Sequence, residues 1–338
     1  MSLKLCLISL LVGIAISAPK AKETLTFSGK VLVTTGFGLG DGTTSEVIDV
    51  KDPSNKCQNL PNYPINVDGA NAGLFQDKYP LICGGSLVGV SDCYMYNPDI
   101  DSWDFKLETY NERYRGGHVM VFKGSPVESL WISGGLNADY ERSEFVNPEN
   151  GASPGPNLPV GLYSHCMLDI GNQNYMVIGG GLKEKYVTEQ VYFYDMKTFT
   201  WTPGPKLAYG RVEHSCGLLM NPDGRMLAAV VGGIVSGTPG HTDSVELLEI
   251  DVENGMIEGA EWMAGPNLPV GLGNHDSVVV DNTLYTFGGD TEEGFNQVVY
   301  QLSYNEGTWQ WSTWGETAFP RWLLVAMQIP DELVQCEK

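Results

Sequence analysis

Four of the five histidines recur at one position of a repeated pattern, where an inner β-strand is expected to begin. They are His118, His165, His214 and His275. Imidazoles spaced in this way around an axis could supply nitrogen ligands to a transition metal. We favour a structural role for them and predict no bound metal and no cofactor. The fifth histidine, His241, lies in the segment GTPGHTD and is predicted to be exposed in a loop.

No sequence motif for catalysis accompanies these histidines. The chain has no GxSxG, no HExxH and no phosphate-binding loop. We therefore assign no catalytic residue from the sequence.

The elements that would position the histidines repeat about every 50 residues. Each repeat has an apolar run that ends in glycine, then a strand rich in aromatic residues, and in most copies a tryptophan. The runs are VLVTTGFG (31–38), LICGG (81–85), LWISGG (130–135), YMVIGGG (175–181), AAVVGG (228–233) and LYTFGG (284–289). Four short strands in each of six such units predict a β-propeller.

A second phrase recurs between the repeats. It reads GPNLPVGLYSH at 155–165, GPKLAYGRVEH at 204–214 and GPNLPVGLGNH at 265–275. Proline ends a strand because it lacks an N–H, so we interpret the phrase as the corner between two blades. Its leucines are predicted to fill the core between blades, and its later glycines to let the chain turn inward. The leucines are Leu158, Leu207 and Leu268, and the glycines are Gly161, Gly210 and Gly271.

Together, the glycine doublets, aromatic strands and spaced tryptophans resemble the kelch repeat over residues 25–330. The resemblance implies an all-β, six-bladed kelch-type β-propeller. The first copy has no inner strand of its own, and FPRWLLVAMQIP (319–330) follows the last complete copy. We predict that this C-terminal strand closes the ring, because pairing it with the first copy would remove the open sheet edges.

The kelch resemblance also indicates where a ligand would bind. Arg115, Arg211 and Arg321 each stand three residues before the histidine position. In kelch propellers such residues lie near the mouth of the central channel, and a guanidinium there could hold a carboxylate. The alternative is that each arginine pairs with an acidic residue of a neighbouring blade. The resemblance further implies that the histidines bond to turn backbone.

The loops between second and third strands are the other candidate binding surface. They carry Tyr140, Tyr186 and Phe295 among charged residues. Function often concentrates on loops that a rigid scaffold presents. We expect these loops to face the same way as the corner phrase.

Residues 1–18 have the pattern of a secretory signal peptide, with Lys4, an apolar run from Leu5 to Ile16 and small residues before the cleavage site. Residues 19–30 would be a lead-in and 31–338 a single propeller. Six cysteines remain after cleavage, which permits three disulfides in an oxidising compartment. A hairpin centred on Val88 predicts Cys83–Cys93. Cys166 and Cys216 fit free buried thiols better, and Cys57 with Cys336 stays open.

These observations favour a secreted binding scaffold over an enzyme. The partner would be an extracellular protein or a small ligand at the top face. The formal net charge of −21 disfavours nucleic acid, and no segment after the signal is long enough to span a membrane. The alternative is an exported enzyme acting on a carbohydrate, similar to bacterial six-bladed kelch proteins that interconvert sugar anomers.

Overall fold

The structure is a computed structural model that describes residues 25–38, 42–86, 90–137, 139–184, 186–236, 240–251, 255–256 and 259–337. The predicted signal peptide lies outside the described residues. The protein is an all-β propeller of six blades, which we number along the chain. Among the described residues, Asp331–Leu333 forms a 3-10 turn.

Each blade is an antiparallel sheet whose strands run from the centre outward. Blade 1 contains Val325–Gln328, Lys30–Thr34 and Ser45–Asp49. Blade 2 contains Asn71–Phe75, Tyr79–Cys83, Asp92–Asn97 and Ser102–Glu108. Blade 3 contains Gly117–Val121, Ser129–Ser133, Ser143–Asn147 and Gly151–Pro154.

The second half of the chain repeats the plan. Blade 4 contains Cys166–Asp169, Asn174–Ile178, Val191–Asp195 and Thr200–Pro203. Blade 5 contains Ser215–Met220, Met226–Val231 and Val245–Asp251, with Gly255–Met256 and Met263–Ala264 on its outer edge. Blade 6 contains Asp276–Val280, Thr283–Phe287, Val298–Asn305 and Thr308–Glu316.

Short ribbons complete the strands. Phe37–Gly38 pairs with Arg321–Trp322, Arg211–Val212 with Ile234–Val235, Asp290–Thr291 with Gly294–Phe295, and Lys56–Cys57 with Cys336–Glu337. The first strand of every blade contacts the first strand of the next, and blade 6 returns to blade 1. These six first strands therefore surround a central channel.

The C-terminal strand closes the ring as predicted. Val325–Gln328 pairs antiparallel with Lys30–Thr34, with Val31 opposite Gln328 and Thr34 opposite Val325. A disulfide between Cys57 and Cys336 joins the two ends of the chain a second time, across 279 residues of sequence.

Of the other two disulfides, one confirms a prediction from the sequence and the other contradicts one. Cys83–Cys93 is confirmed, because the hairpin places the two cysteines directly opposite each other. The interpretation of Cys166 and Cys216 as free thiols is wrong. They occupy adjacent first strands of blades 4 and 5, with Cα atoms 6.1 Å apart, and form a disulfide in the channel wall.

The corner phrase has the predicted position and buries its leucines. Leu158, Leu207 and Leu268 are buried between blades. Prolines of the corners also act as acceptors. The indole N–H groups of Trp262 and Trp311 donate to the carbonyls of Pro205 and Pro266 in the phrase, and that of Trp103 donates to Pro61 in the corner before blade 2, over 2.8–2.9 Å.

The corner glycines are required for close approach to the preceding loop. A Cβ at Gly271 would lie 2.2 Å from the carbonyl oxygen of His241, and one at Gly210 would lie 2.9 Å from the backbone of Thr188 and Glu189. The corners and the long loops therefore pack on the same face of the propeller, as expected.

Candidate functional site

Six residues, one from each corner, form a closed ring around one end of the channel. Each has a left-handed backbone, with φ between 47° and 61°. Each backbone N–H donates to the carbonyl oxygen of the preceding member over 2.7–3.3 Å, and the first member donates to the last. The members are Gly69, Arg115, Ser164, Glu213, Asn274 and Leu323. We call them the mouth ring.

Side chains of the mouth ring form a charged network. Arg115 Nη1 lies 2.6 Å from Glu213 Oε1. Asn274 Nδ2 donates to Glu213 Oε2 at 2.9 Å and to Asp290 Oδ1 at 3.0 Å. Asp290 Oδ2 in turn lies 3.3 Å from His241 Nε2. The network therefore crosses the mouth from blade 3 to blade 6.

His241 differs from the sequence prediction of an exposed loop residue. Its side chain is only 12% exposed. The hydrogen bond to Asp290 is the largest influence on this imidazole and raises its pKa. His241 is therefore a partly buried imidazole beside the mouth whose protonated form Asp290 favours.

A cavity of about 260 Å³ lies at the mouth ring and extends into the channel. Seven polar atoms of its lining residues are buried and have no hydrogen-bond partner among the described residues. Four are the Nδ1 atoms of the channel histidines His118, His165, His214 and His275, and the three at the mouth ring are Arg115 Nε, Ser164 Oγ and Asn274 Oδ1. They include donors and an acceptor, so a small ligand with both hydroxyl and carbonyl or carboxyl groups would satisfy them.

Below the ring, the four predicted histidines line the cavity, but they do not share one position. His165, His214 and His275 each immediately precede the first strand residue. His118 pairs with Ile132 two residues further along, and Gly116 occupies the equivalent position in blade 3. The shared position inferred from the sequence is therefore corrected for His118.

Three of these histidines bond to the preceding blade. His165 Nε2 and His275 Nε2 lie 2.8 Å from the hydroxyls of Ser133 and Ser215, and His214 Nε2 lies 3.2 Å from the carbonyl of Ile178.

Burial keeps all four channel histidines neutral. It lowers the pKa to about 4 for His118, to about 3 for His165 and His275, and well below the ordinary value for His214. Within the described part of the chain, no group of three or more histidine, cysteine or acidic side chains is placed to hold a metal ion.

The predicted arginines separate into two kinds. Only Arg115 belongs to the mouth ring. Arg211 and Arg321 are buried and pair with Glu246 and Glu46 of their own blades, at 2.6 and 3.7 Å. The sequence predicted that Arg115, Arg211 and Arg321 occupy the same position in three blades. This is corrected, because the residue of blade 3 that is equivalent to Arg211 and Arg321 is Arg113.

Arg113 was missed from the sequence and has the same environment as Arg211. It is buried and lies 2.8 Å from Glu144. In blades 1, 3 and 5 the arginine also donates to two carbonyls, and the glutamate accepts a corner N–H. We call these three pairs the Arg–Glu clamps. Counting three residues back from Gly116 would have found Arg113.

The predicted loop aromatics lie on two sides of the top face. The Tyr186 side chain is 56% exposed. Partial burial is the larger of the two causes that raise the pKa of its hydroxyl, and the nearby Glu213 carboxylate is the other. Tyr140 packs against Tyr163, with ring centroids 6.1 Å apart. Phe295 lies on the opposite side and contacts Phe37 and Trp322.

Comparison with known proteins shows the fold alone. No family model matches the chain, and no curated protein matches its sequence. Among solved structures, that of YjhT superposes with a TM-score of 0.65 at 16% sequence identity, covering 86% of this chain and 98% of that chain. The chain is therefore similar to YjhT in its six-bladed architecture.

The described residues include no helix that is long and apolar enough to cross a membrane. Three disulfides indicate folding in an oxidising environment.

Proposed function

We propose that this is a secreted, kelch-type binding protein that holds a small polar ligand over its mouth ring. The observation that carries the proposal is the partnerless set of Arg115 Nε, Ser164 Oγ and Asn274 Oδ1 around one cavity. Buried polar groups are normally hydrogen bonded, so such a set at an open pocket favours a ligand with matching groups.

Arg115 is the expected anchor. Glu213 holds one of its terminal nitrogens, which leaves the Nε edge for a ligand carboxylate or hydroxyl. Asn274 is fixed by Glu213 and Asp290 through its amide nitrogen, which sets the orientation of its unpartnered oxygen. This preorganisation reduces the entropy cost of binding.

Thermal-shift screening of small polar compounds tests the proposal. The panel would contain sugars, amino acids and hydroxy acids. A ligand should raise the unfolding midpoint of the wild type, and Arg115→Ala or Asn274→Asp should reduce its affinity at least about tenfold, a loss of one charge-assisted hydrogen bond.

Arg225→Ala is the matched control, since Arg225 is an exposed arginine whose ion pairs with Asp223 and Glu249 lie on a hairpin. A ligand that binds wild type and Arg115→Ala equally would contradict the mouth site.

A second candidate, an enzyme acting on a carbohydrate, is favoured by the Glu213–Asn274–Asp290–His241 chain. Interconversion of sugar anomers requires a proton to reach the ring oxygen while another leaves the anomeric hydroxyl. His241 could donate and Glu213 could accept. Nuclear magnetic resonance of freshly dissolved anomers would show faster equilibration with wild type than with Glu213→Gln; equal rates would exclude this activity.

A further inference from the structure

The three aromatic rings beside the mouth form an exposed cluster that the mouth ring does not use. Phe37, Phe295 and Trp322 lie pairwise 5.8–6.1 Å apart between ring centroids. Phe37 is 55% exposed and Phe295 is 39% exposed. Their positions are fixed by short ribbons, in which Phe37 is paired with Trp322 and Phe295 with Asp290. We call these residues the aromatic cluster.

Acidic groups accompany the aromatic cluster. The ribbon that carries Phe295 turns through Glu292 and Glu293, which are both exposed, and the carboxyl group of Glu292 lies beside Gly240 of the neighbouring loop. The segments 36–38, 289–297 and 319–324 contain one basic residue, Arg321, and it is buried in a clamp. The ribbon that carries Phe295 into the cluster is therefore acidic.

We propose that the aromatic cluster is a docking site for an arginine side chain of a basic segment in a partner protein. A cation over an aromatic face gains from the ring quadrupole, and carboxylates at the rim attract it further. Arginine fits better than lysine because its planar guanidinium stacks on a ring while its fork reaches a carboxylate. The net charge of −21 complements a basic partner.

The docking site is separate from the small-ligand site of the proposed function. Its rings come from blade 6 and from the ribbon that joins Phe37 to the closing corner, whereas Arg115 and Ser164 lie in blades 3 and 4 of the mouth ring. A failure of one site therefore leaves the other intact.

Short peptides provide the probe. An acetylated and amidated Gly-Ser-Arg-Ser-Gly peptide would be titrated into the wild-type protein and followed by nuclear magnetic resonance at low and high salt. The matched peptides carry lysine, or citrulline, which keeps the planar shape and removes the charge. We expect the arginine peptide to bind several-fold more tightly than the lysine peptide and about tenfold more tightly than the citrulline peptide.

Substitutions at one ring separate a cation contact from simple apolar burial. Phe295→Leu should weaken the arginine peptide about tenfold, and Phe295→Tyr should keep it within about twofold, because tyrosine retains the π face. The double change Glu292→Gln with Glu293→Gln should weaken binding several-fold and reduce its salt dependence.

One control and three outcomes decide the test. Phe199→Leu removes a 72% exposed ring on the distant hairpin of blade 4 and should leave peptide binding unchanged. Thermal midpoints would verify that each variant is folded. Absence of binding to wild type at millimolar peptide, equal binding of citrulline, or unchanged binding to Phe295→Leu would each overturn the proposal.

Discussion

Two arginines of one corner, Arg113 and Arg115, have opposite environments although they stand two residues apart. Arg113 is buried: its Nη1 donates to two carbonyls and its Nη2 lies 2.8 Å from Glu144, while its Nε has no hydrogen-bond partner among the described residues. Arg115 has a left-handed backbone at the mouth ring, pairs with the less buried Glu213 and lines the cavity. A shift of two residues thus separates a charge that holds a blade together from one that can meet a ligand.

The clamps also show an alternation between blades. Blades 1, 3 and 5 have Arg321, Arg113 and Arg211 at the position where blades 2, 4 and 6 have Val67, Leu162 and Leu272. All six side chains are buried. The same corner can therefore be occupied either by an apolar side chain or by a buried ion pair.

The largest expected effect comes from breaking a clamp. Arg211→Ala would leave Glu246 buried with no cationic partner, and such a loss costs about 3–5 kcal/mol of unfolding free energy. Urea unfolding would measure it. Arg115→Ala, which removes a more exposed pair, should cost markedly less.

A paired change sharpens the clamp prediction. Arg211→Leu together with Glu246→Leu copies the apolar corner of the even blades and should recover much of the lost stability, because no charge remains buried. If the double variant is as unstable as Arg211→Ala, the clamp contributes through its carbonyl hydrogen bonds and not through the ion pair.

The next effect is acid sensitivity of the channel wall. The folded pKa of the four channel histidines lies below the unfolded value, so the unfolded state binds more protons as the pH falls below about 6.5. Stability should fall by up to about 1.4 kcal/mol per pH unit for each histidine in that window. Burial raises the pKa of Asp276 to about 6. The folded state therefore binds one more proton at Asp276 than the unfolded state does at acidic pH, which opposes this trend. His241, with a raised pKa, adds stability at low pH that is lost as the pH rises.

A neighbouring blade suggests a substitution that tests the prediction for one channel histidine. Blade 4 has Met167 where blade 3 has His118, so His118→Met should keep the packing and reduce the acid slope by about one proton. Urea midpoints between pH 7.5 and 5 would measure the slope. An unchanged slope would show that His118 is protonated in the folded protein.

The sequence was sufficient for those parts of the fold that depend on period and pairing. Six glycine-terminated strands predicted six blades, the missing inner strand predicted closure by 319–330, and hairpin symmetry predicted Cys83–Cys93. All three are confirmed. Each of these predictions needs only a local sequence pattern or a count of the strands in each repeat.

The site was less predictable, for physical reasons that particular residues show. The corner ETYNERYRGG (108–117) lacks the Gly-Pro phrase, so Arg115 and His118 were aligned in place of Arg113 and Gly116. The mouth ring depends on backbone φ, which Ser164, Glu213 and Leu323 do not reveal by residue type. Cys166–Cys216 depends on the spacing of two first strands from different blades.

The smallest expected effect concerns the mouth ring itself. If the ring is defined by its backbone, Ser164→Gly should preserve the hydrogen bond to the Arg115 carbonyl and relieve a left-handed conformation that costs about 1–2 kcal/mol for a residue with a Cβ. Glycine also gains entropy in the unfolded chain, which removes about 0.5–1 kcal/mol of that benefit. The net gain therefore lies between about 0 and 1.5 kcal/mol.

Ser164→Ala separates the backbone from the hydroxyl in this test. Alanine retains the strained φ, and the Ser164 hydroxyl makes no hydrogen bond among the described residues, so its removal should leave stability within about 0.5 kcal/mol of wild type. A glycine variant clearly less stable than the alanine variant would show that the left-handed backbone is not strained at this corner. In that case the ring is held by its side chains, and the contrast between Arg113 and Arg115 would arise from packing and not from backbone conformation.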